Sequence, residues 1–211
     1  MELRNRLFDE KELFTYLDFL STGNGMTETN KALYYMRDKH SGQYRKTGKH
    51  SSEQVPYINH PLIMAYHAYS LGIEDDIILA AILLHDVVED TDVTLEELPF
   101  STYVRALVGL VTFAVIPGKT KEESKDEYYK AIRCNGKACL IKLIDRCNNV
   151  STMSAGFDRD KLIEYIDETE QYVLPLAEAL KNDHPEYSDI AFVVKYQIIA
   201  VIETIKNLIT D

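Results

Sequence analysis

The sequence has 211 residues and a formal net charge of −11 at pH 7. This charge argues against general binding to nucleic-acid polymers or anionic membranes, although a local basic patch still permits a phosphorylated small molecule as ligand. No stretch approaches the roughly 20 apolar residues of a membrane span, and the start of the chain is charged, so a cytoplasmic protein is expected.

Apolar residues recur every three or four positions along most of the chain, which predicts a mostly helical, all-α protein. The segments with this spacing are residues 7–20, 61–71, 77–88, 103–113, 125–132, 137–153, 161–180 and 190–209. A further helix is expected over residues 32–40, capped by the polar residues 27–30. No Gly-rich loop follows a strand pattern, which weakens the case for a sheet-based nucleotide fold. One domain is predicted over residues 1–211, because no Pro-, Gly- or Ser-rich linker divides the chain.

Three cysteines, Cys134, Cys139 and Cys147, lack the CxxC spacing of a zinc knuckle or redox site. Their odd number does not suit a disulfide framework. They are predicted to be ordinary reduced thiols.

A His-Asp pair at positions 85 and 86 follows the apolar run of residues 80–84, which is predicted to be a buried helix. An imidazole and a carboxylate are costly among apolar side chains unless a metal ion or a dense hydrogen-bond network compensates them. Two more donors are available, His60 upstream and Asp145 downstream. We therefore predict a divalent-metal site, and Mn, Fe, Zn and Mg all suit its mixed nitrogen and oxygen donors. The predicted metal ligands are His60, His85, Asp86 and Asp145.

Two further carboxylates, Glu89 and Asp90, lie four residues beyond His85 and Asp86, so a continuous helix would present them one turn beyond the ligands. A bound cation lowers the pKa of a water molecule, and either carboxylate can orient that water or shuttle a proton. The plain alternative is an acidic surface turn that ends an apolar helix. That alternative explains the carboxylates but leaves the buried His-Asp pair unexplained.

Four motifs around these residues resemble, in order and spacing, those of the HD phosphohydrolase superfamily. The resemblance narrows to the hydrolase domain of RelA/SpoT homologues and to the small alarmone hydrolases. The motifs are His-Ser-Gly-Gln-Tyr-Arg-Lys at 40–46, Pro-Tyr-Ile-Asn-His-Pro-Leu at 56–62, His-Asp-Val-Val-Glu-Asp-Thr at 85–91 and Ile-Lys-Leu-Ile-Asp-Arg-Cys-Asn-Asn at 141–149. They cover about residues 32 to 153. The resemblance implies an all-α HD-domain bundle with a central metal site and packing helices in residues 1–30 and 155–211.

The resemblance also implies roles for individual residues. It implies Mn²⁺ at the four ligands and assigns the attacking water to Glu89 and Asp90. The residues assigned to the substrate are Arg45, Lys46, Lys142 and Asn149. Two aromatic residues, Tyr44 and Tyr129, are further candidates near the substrate, Tyr129 because it follows the lysine-rich segment 119–125.

Physical chemistry agrees with the substrate assignments. A guanidinium such as that of Arg45 stacks on a purine, and an ammonium such as that of Lys46 suits dense phosphate charge. Asn149 matches the family residue that contacts the sugar-phosphate. The plain alternatives are solvated loop charges for Arg45 and Lys46, and a helix cap for Asn149.

Three departures from the family pattern bear on substrate choice. The connection between Arg45 and Tyr57 is several residues longer than is usual, and it lies nearest the expected base. Thr112-Phe113 stands where a Thr-Lys pair is usual, and Asn148 replaces a His. Replacement charge for the phosphates is available from Lys119, Lys121 and Lys125, but a solvated lid explains these lysines equally well.

The resemblance implies a metal-dependent hydrolase that removes the 3′-pyrophosphate of guanosine tetra- or pentaphosphate (ppGpp or pppGpp), giving GDP or GTP and pyrophosphate. Hydrolysis of another nucleotide, such as NADPH, a deoxynucleotide or a nucleoside monophosphate, stays open because of the altered base-side loop. A non-catalytic nucleotide-binding regulatory module and a helical interaction scaffold are further alternatives. The paired Glu89 and Asp90 argue against the module, and the buried His-Asp pair argues against the scaffold. The sequence leaves a homo-oligomer open.

Overall fold

The structure is a computed structural model that describes residues 9–45 and 54–209. Within these ranges the chain is helical and has no strand, apart from an isolated antiparallel bridge between Tyr44 and Pro56. The all-α prediction is therefore confirmed. Contacts along the chain divide it into two compact units, residues 9–45 with 54–114, and residues 115–209. No helix in the described ranges has the length and apolar character to cross a membrane.

The first unit is built around one short helix that is buried on all sides. Its helices are α1 (Glu10–Gly23), α2 (Thr27–Lys39), α3 (Asn59–Ser70), α4 (Asp76–Leu84), α5 (Val87–Asp90) and α6 (Thr102–Val111). Residues 78–84 of α4 are all buried, and α2, α3 and α6 pack around α4. A helix that is apolar on every face belongs in a core, so the residues that follow α4 also start from a buried position.

The N-terminus of α2 is capped from another helix. The sequence suggests a local cap within residues 27–30, but α2 already begins at Thr27. The Asp76 carboxylate of α4 accepts hydrogen bonds from the amides of Glu28 and Thr29, at 3.1 and 2.7 Å. A negative charge at a helix N-terminus also interacts favourably with the helix dipole. The cap therefore joins α2 to α4.

The second unit is organised around its long central helix. Its helices are α7 (Lys121–Arg133), α8 (Gly136–Gly156), α9 (Arg159–Glu168), α10 (Leu174–Asp183) and α11 (Ser188–Ile209). The helices α7, α10 and α11 pack on α8, most of whose residues are buried. Asn135 caps α8 by accepting the amide of Ala138 at 3.0 Å.

One helix predicted over residues 161–180 is interrupted by a π-helical turn at Thr169–Val173. The Thr169 hydroxyl donates to the carbonyl oxygen of Tyr165 at 2.6 Å, and Arg146 donates to the same oxygen at 3.4 Å. Side-chain donors that occupy a helix carbonyl compete with the regular backbone ladder. This competition is a physical reason for the wider turn.

Candidate metal centre and catalytic carboxylates

The His85-Asp86 pair lies between two helices rather than inside one. Helix α4 ends at Leu84 and α5 begins at Val87, so the continuous helix predicted over residues 77–88 is wrong. Nδ1 of His85 bonds the carbonyl oxygen of Ile82 at 2.8 Å. In an uninterrupted helix that oxygen would accept the amide of Asp86, so the imidazole competes with the helix at this point.

The same hydrogen bond fixes how the His85 ring carries its proton. A carbonyl oxygen only accepts, so Nδ1 of His85 must be the donor to Ile82. In the neutral ring Nε2 then keeps its lone pair, which is the arrangement of many metal-binding histidines. His85 is 3% exposed, which makes it a well-shielded donor.

Three donor atoms of the first unit converge. Nε2 of His60 lies 3.3 Å from Nε2 of His85, and Oδ2 of Asp86 lies 3.0 Å from His85 Nε2 and 3.6 Å from His60 Nε2. All three lie within 4.8 Å of one another. His60 sits in the first turn of α3, which begins at Asn59. Two imidazole nitrogens and one carboxylate oxygen fit a divalent cation in both geometry and ligand type.

A tyrosine that sequence reasoning left out of the site contacts this cluster. The Tyr57 hydroxyl donates a hydrogen bond to Oδ2 of Asp86. Burial and the nearby carboxylates of Asp86 and Asp90 raise the pKa of Tyr57, so its hydroxyl stays protonated. The sequence signal that could have identified Tyr57 is its place in the second motif, three residues before His60.

The two predicted acid/base residues lie on the short helix α5, and both are exposed. Oε2 of Glu89 accepts the amide of Phe113 at 3.2 Å, which ties α5 to the end of α6. The amide of Asp90 donates to the carbonyl of Asp86 at 2.8 Å, so Asp90 still lies one turn beyond the His-Asp pair. The spacing argument from the sequence thus holds for Asp90 despite the break in the helix.

The first motif pairs with the chain at the start of the second motif. The amide of Arg45 donates to the carbonyl of Val55 at 2.8 Å, and the amide of Tyr57 donates to that of Gln43 at 2.9 Å. Tyr44, between them, is exposed. Lys46, the other substrate residue predicted in this motif, lies outside the described residues.

His40, which opens the first motif, is 2% exposed, and its ring lies 4.7 Å from that of Tyr57. Burial lowers the pKa of His40 against the opposing effect of a hydrogen bond to Gln43. His40 therefore contributes a mostly neutral ring to the packing behind Tyr57.

In the second unit, the predicted residues of the fourth motif share one side of α8. Oδ2 of Asp145 accepts Nζ of Lys142 at 2.8 Å, and its Oδ1 accepts Nδ2 of Asn149 at 2.6 Å. Burial opposes the charge of Lys142, but attraction from Asp145 and two tyrosines raises its pKa well above the usual range. Asp145 is therefore a buried carboxylate with a positive neighbour and an amide donor.

Three residues considered near the substrate have structural partners in this unit. Tyr129 is 7% exposed and stacks on Tyr172 with ring centroids 4.8 Å apart. Lys125 forms an ion pair with Glu168, and Lys119 lies 3.5 Å from Glu127. These contacts favour packing and solvated-surface roles for the residues. The cysteines are free thiols, as predicted.

Comparisons with known proteins identify the family. No family model matches the chain. A guanosine-3′,5′-bis(diphosphate) 3′-pyrophosphohydrolase from Aquifex aeolicus is 36% identical over 194 residues, which are 87% of this chain and 26% of that protein. The protein of that name called MESH1 from Homo sapiens is 34% identical over 174 residues, which are 76% of this chain and 94% of that protein. The chain thus spans about a quarter of the bacterial relative and nearly all of the human one.

A solved structure supports the fold. It belongs to a metazoan ortholog of SpoT that hydrolyzes ppGpp and plays a role in starvation responses. The TM-score is 0.65 at 24% identity, covering 84% of this chain and 94% of that one. The HD-type helical fold expected from the motifs is therefore confirmed. The sequence matches show that the chain belongs to the guanosine-3′,5′-bis(diphosphate) 3′-pyrophosphohydrolase family that includes MESH1.

Proposed function

We propose that the protein hydrolyses the 3′-pyrophosphate of guanosine tetra- and pentaphosphate, releasing GDP or GTP and pyrophosphate, with a divalent cation as cofactor. The observation that carries this proposal is the convergence of His60, His85 and Asp86 immediately before the acidic turn of Glu89 and Asp90. The relatives bear the name of this activity. Mn²⁺ is the proposed metal, and Fe, Zn or Mg suit the same donors.

The first unit supplies the proposed metal ligands His60, His85 and Asp86. The His85 ring is held by the carbonyl of Ile82, so its Nε2 is oriented before any metal binds. When bound, the cation supplies positive charge that acidifies a coordinated water and stabilises charge on phosphoryl oxygens. Asp145 remains the proposed fourth ligand, and its support is the fourth motif together with its buried carboxylate.

Proton transfer is assigned to Glu89 and Asp90. In the proposed reaction, water oxygen bonds to the phosphorus next to the ribose, and the bond between that phosphorus and the 3′ oxygen breaks. One carboxylate accepts the proton that the water loses, and a proton passes to the 3′ oxygen as the alcohol leaves. Such acid/base assistance contributes typically 10²- to 10⁴-fold in rate. The exposed carboxylates on α5 have access to substrate from solvent.

Substrate binding is assigned to residues of the first and fourth motifs. Arg45 is proposed to stack on the guanine, with Tyr44 beside it, and Lys46 to face phosphates. Asn149 and Lys142 are proposed for the sugar-phosphate. Because Lys142 and Asn149 both donate to Asp145, contact with substrate would require sharing or exchanging those hydrogen bonds.

A second candidate is hydrolysis of another nucleotide, such as NADPH, a deoxynucleotide or a nucleoside monophosphate. The longer connection between Arg45 and Tyr57 favours keeping this candidate, because the connection directly follows Arg45, the residue proposed to stack on the base. Phe113, which departs from the Thr-Lys pair of the family pattern, donates its backbone amide to Glu89. In either case a small nucleotide is the proposed partner and the cytoplasm the proposed compartment.

The test is turnover by the Mn²⁺-loaded protein against guanosine tetraphosphate, NADPH and a deoxynucleotide panel. Asp86→Ala is the control for contaminating phosphatases. Asp92→Ala is the matched variant, because Asp92 is an exposed carboxylate two residues after the end of α5. GDP and pyrophosphate formed by wild type and Asp92→Ala but not by Asp86→Ala would support the proposal. Turnover of only another nucleotide would keep the chemistry and change the substrate. Equal turnover by Asp86→Ala would contradict the metal site.

A further inference from the structure

One oxygen of Asp86 has two kinds of neighbour. Oδ2 is the atom that lies 3.0 Å from Nε2 of His85 and 3.6 Å from Nε2 of His60. The same Oδ2 accepts the hydrogen bond of the Tyr57 hydroxyl. Rotation of the carboxylate away from the imidazoles would therefore break the bond to Tyr57.

Tyr57 is held through both its backbone and its ring. Its amide donates to the carbonyl of Gln43 at 2.9 Å, and its own carbonyl accepts the amide of His60 at 3.0 Å. Its ring packs on that of His40 with centroids 4.7 Å apart and lies edge-on to His60 at 6.1 Å. A ring restrained in this way has little freedom left to lose, so its hydroxyl is oriented before a ligand binds.

We infer that Tyr57 is a positioning residue for the metal centre, which holds the Asp86 carboxylate with Oδ2 turned toward His60 and His85. The inference rests on the proposed function, because it concerns the metal ligands proposed there. Partners that orient a metal ligand typically affect metal affinity or activity by 10- to 100-fold when removed. Tyr57 meets the geometric condition for such a partner, since it contacts a ligand oxygen directly.

The test compares two tyrosine-to-phenylalanine variants of the whole chain. Tyr57→Phe keeps the ring against His40 and removes only the hydroxyl. Tyr34→Phe is the matched control, because the Tyr34 hydroxyl donates to Asp18 at 3.0 Å in the same unit, outside the cluster. Affinity for Mn²⁺ is measured by calorimetry, and ligand geometry is read from the visible absorption of the Co²⁺-loaded proteins.

We expect Tyr57→Phe to bind Mn²⁺ roughly 10- to 100-fold more weakly and to change the Co²⁺ spectrum. Excess Mn²⁺ should restore metal occupancy, because the ligands themselves remain. Tyr34→Phe should stay within twofold of wild type. A merely structural role would lower the melting temperature without moving the Co²⁺ spectrum of the folded protein, and that result would overturn the inference.

If Tyr57→Phe does not fold, 3-fluorotyrosine is placed at position 57, and separately at 34, in an otherwise unchanged chain. The fluorine resonance at 57 should shift when Zn²⁺ is added, while that at 34 stays in place. An unmoved resonance at 57 with Zn²⁺ bound would overturn the inference. Weakened metal binding in Tyr57→Phe, together with a wild type inactive on guanosine tetraphosphate, would keep the inference and contradict only the proposed substrate.

Discussion

Gln43 joins the first motif to the acidic turn, because its side-chain amide donates to the carbonyl oxygen of Asp90 at 2.9 Å. Its Oε1 accepts Nδ1 of buried His40 at 2.7 Å. Its main-chain carbonyl accepts the amide of Tyr57. A single residue therefore connects the segment that carries Arg45 with the turn that carries the proposed acid/base residues.

We expect Gln43→Leu to lower the free energy of unfolding by about 1–3 kcal/mol, because it leaves Nδ1 of buried His40 without its acceptor. It should also raise KM more than it lowers kcat, because Arg45 lies two residues away. Urea unfolding and steady-state kinetics measure the two effects. The control is Gln54→Leu, which alters an exposed glutamine of the same unit. Equal behaviour of the two variants would remove Gln43 from this role.

Substitution of the proposed acid/base residues should lower the rate of turnover without loss of the bound metal. Glu89→Ala and Asp90→Ala should retain bound Mn²⁺ and lose about 10²- to 10⁴-fold in kcat, the usual contribution of a proton-transfer residue. Metal content by mass spectrometry and single-turnover rates separate binding from chemistry. Glu89→Ala also removes the acceptor of the Phe113 amide, so its melting temperature is measured alongside. Near wild-type turnover by both variants would rule out their role.

The cluster of donor residues could be predicted from the sequence, because residue type and expected burial are enough to identify it. A buried His-Asp pair needs compensation wherever it occurs, and this requirement pointed to His60 before any geometry was known. The break after Leu84 was not predictable, because it depends on the His85 ring reaching the carbonyl of Ile82. Apolar spacing carries no information about such a contact.

The sequence also did not predict which distant parts of the chain contact one another. Propensity placed the cap of α2 among its own polar residues, whereas Asp76, 47 residues after Thr29, supplies it. Tyr57 was treated as motif context, since nothing in the sequence says that its hydroxyl meets Asp86. Tyr129 was considered for substrate, but it stacks on Tyr172. Local rules find elements and donor types, while tertiary packing selects their partners.

Acid should weaken the partly buried ion pair of Arg146 and Glu168. Burial would raise the pKa of Glu168, but Arg146, at 2.5 Å, and Lys125 together outweigh it and lower the pKa from 4.5 to about 2. A lowered carboxyl pKa stabilises the folded state above pH 4.5, and this stabilisation is lost as pH falls to about 2. The shift corresponds to at most on the order of 3 kcal/mol, and screening by solvent at this partly buried carboxylate reduces that contribution.

We therefore expect Glu168→Gln to be less stable than wild type at pH 7 and the difference to shrink between pH 4.5 and 2. Denaturant unfolding at several pH values measures it. Glu164→Gln is the control, because Glu164 forms an exposed pair with Lys161 in the same helix and should change stability little. A difference independent of pH would mean that Glu168 acts through packing rather than charge.

Helix α8 begins in close contact with the ring of His184. A Cβ atom added at Gly136 would lie 2.6 Å from Cγ of that ring, closer than real side chains approach. Gly136→Ala should therefore cost about 1–3 kcal/mol of unfolding free energy, although alanine is the better helix former. Gly23→Ala is the control, because Gly23 is also helical and nothing lies within 4 Å of its added Cβ.

The double-mutant cycle with His184→Ala isolates the contact. With the ring removed, Gly136→Ala should become neutral or stabilising, which gives a coupling energy of about 0.5–3 kcal/mol. Thermal and urea unfolding of the four proteins measure it. If Gly136→Ala costs the same with and without the ring, the glycine is needed for backbone conformation instead. In that case, close packing against His184 does not determine where helix α8, which carries Asp145, begins.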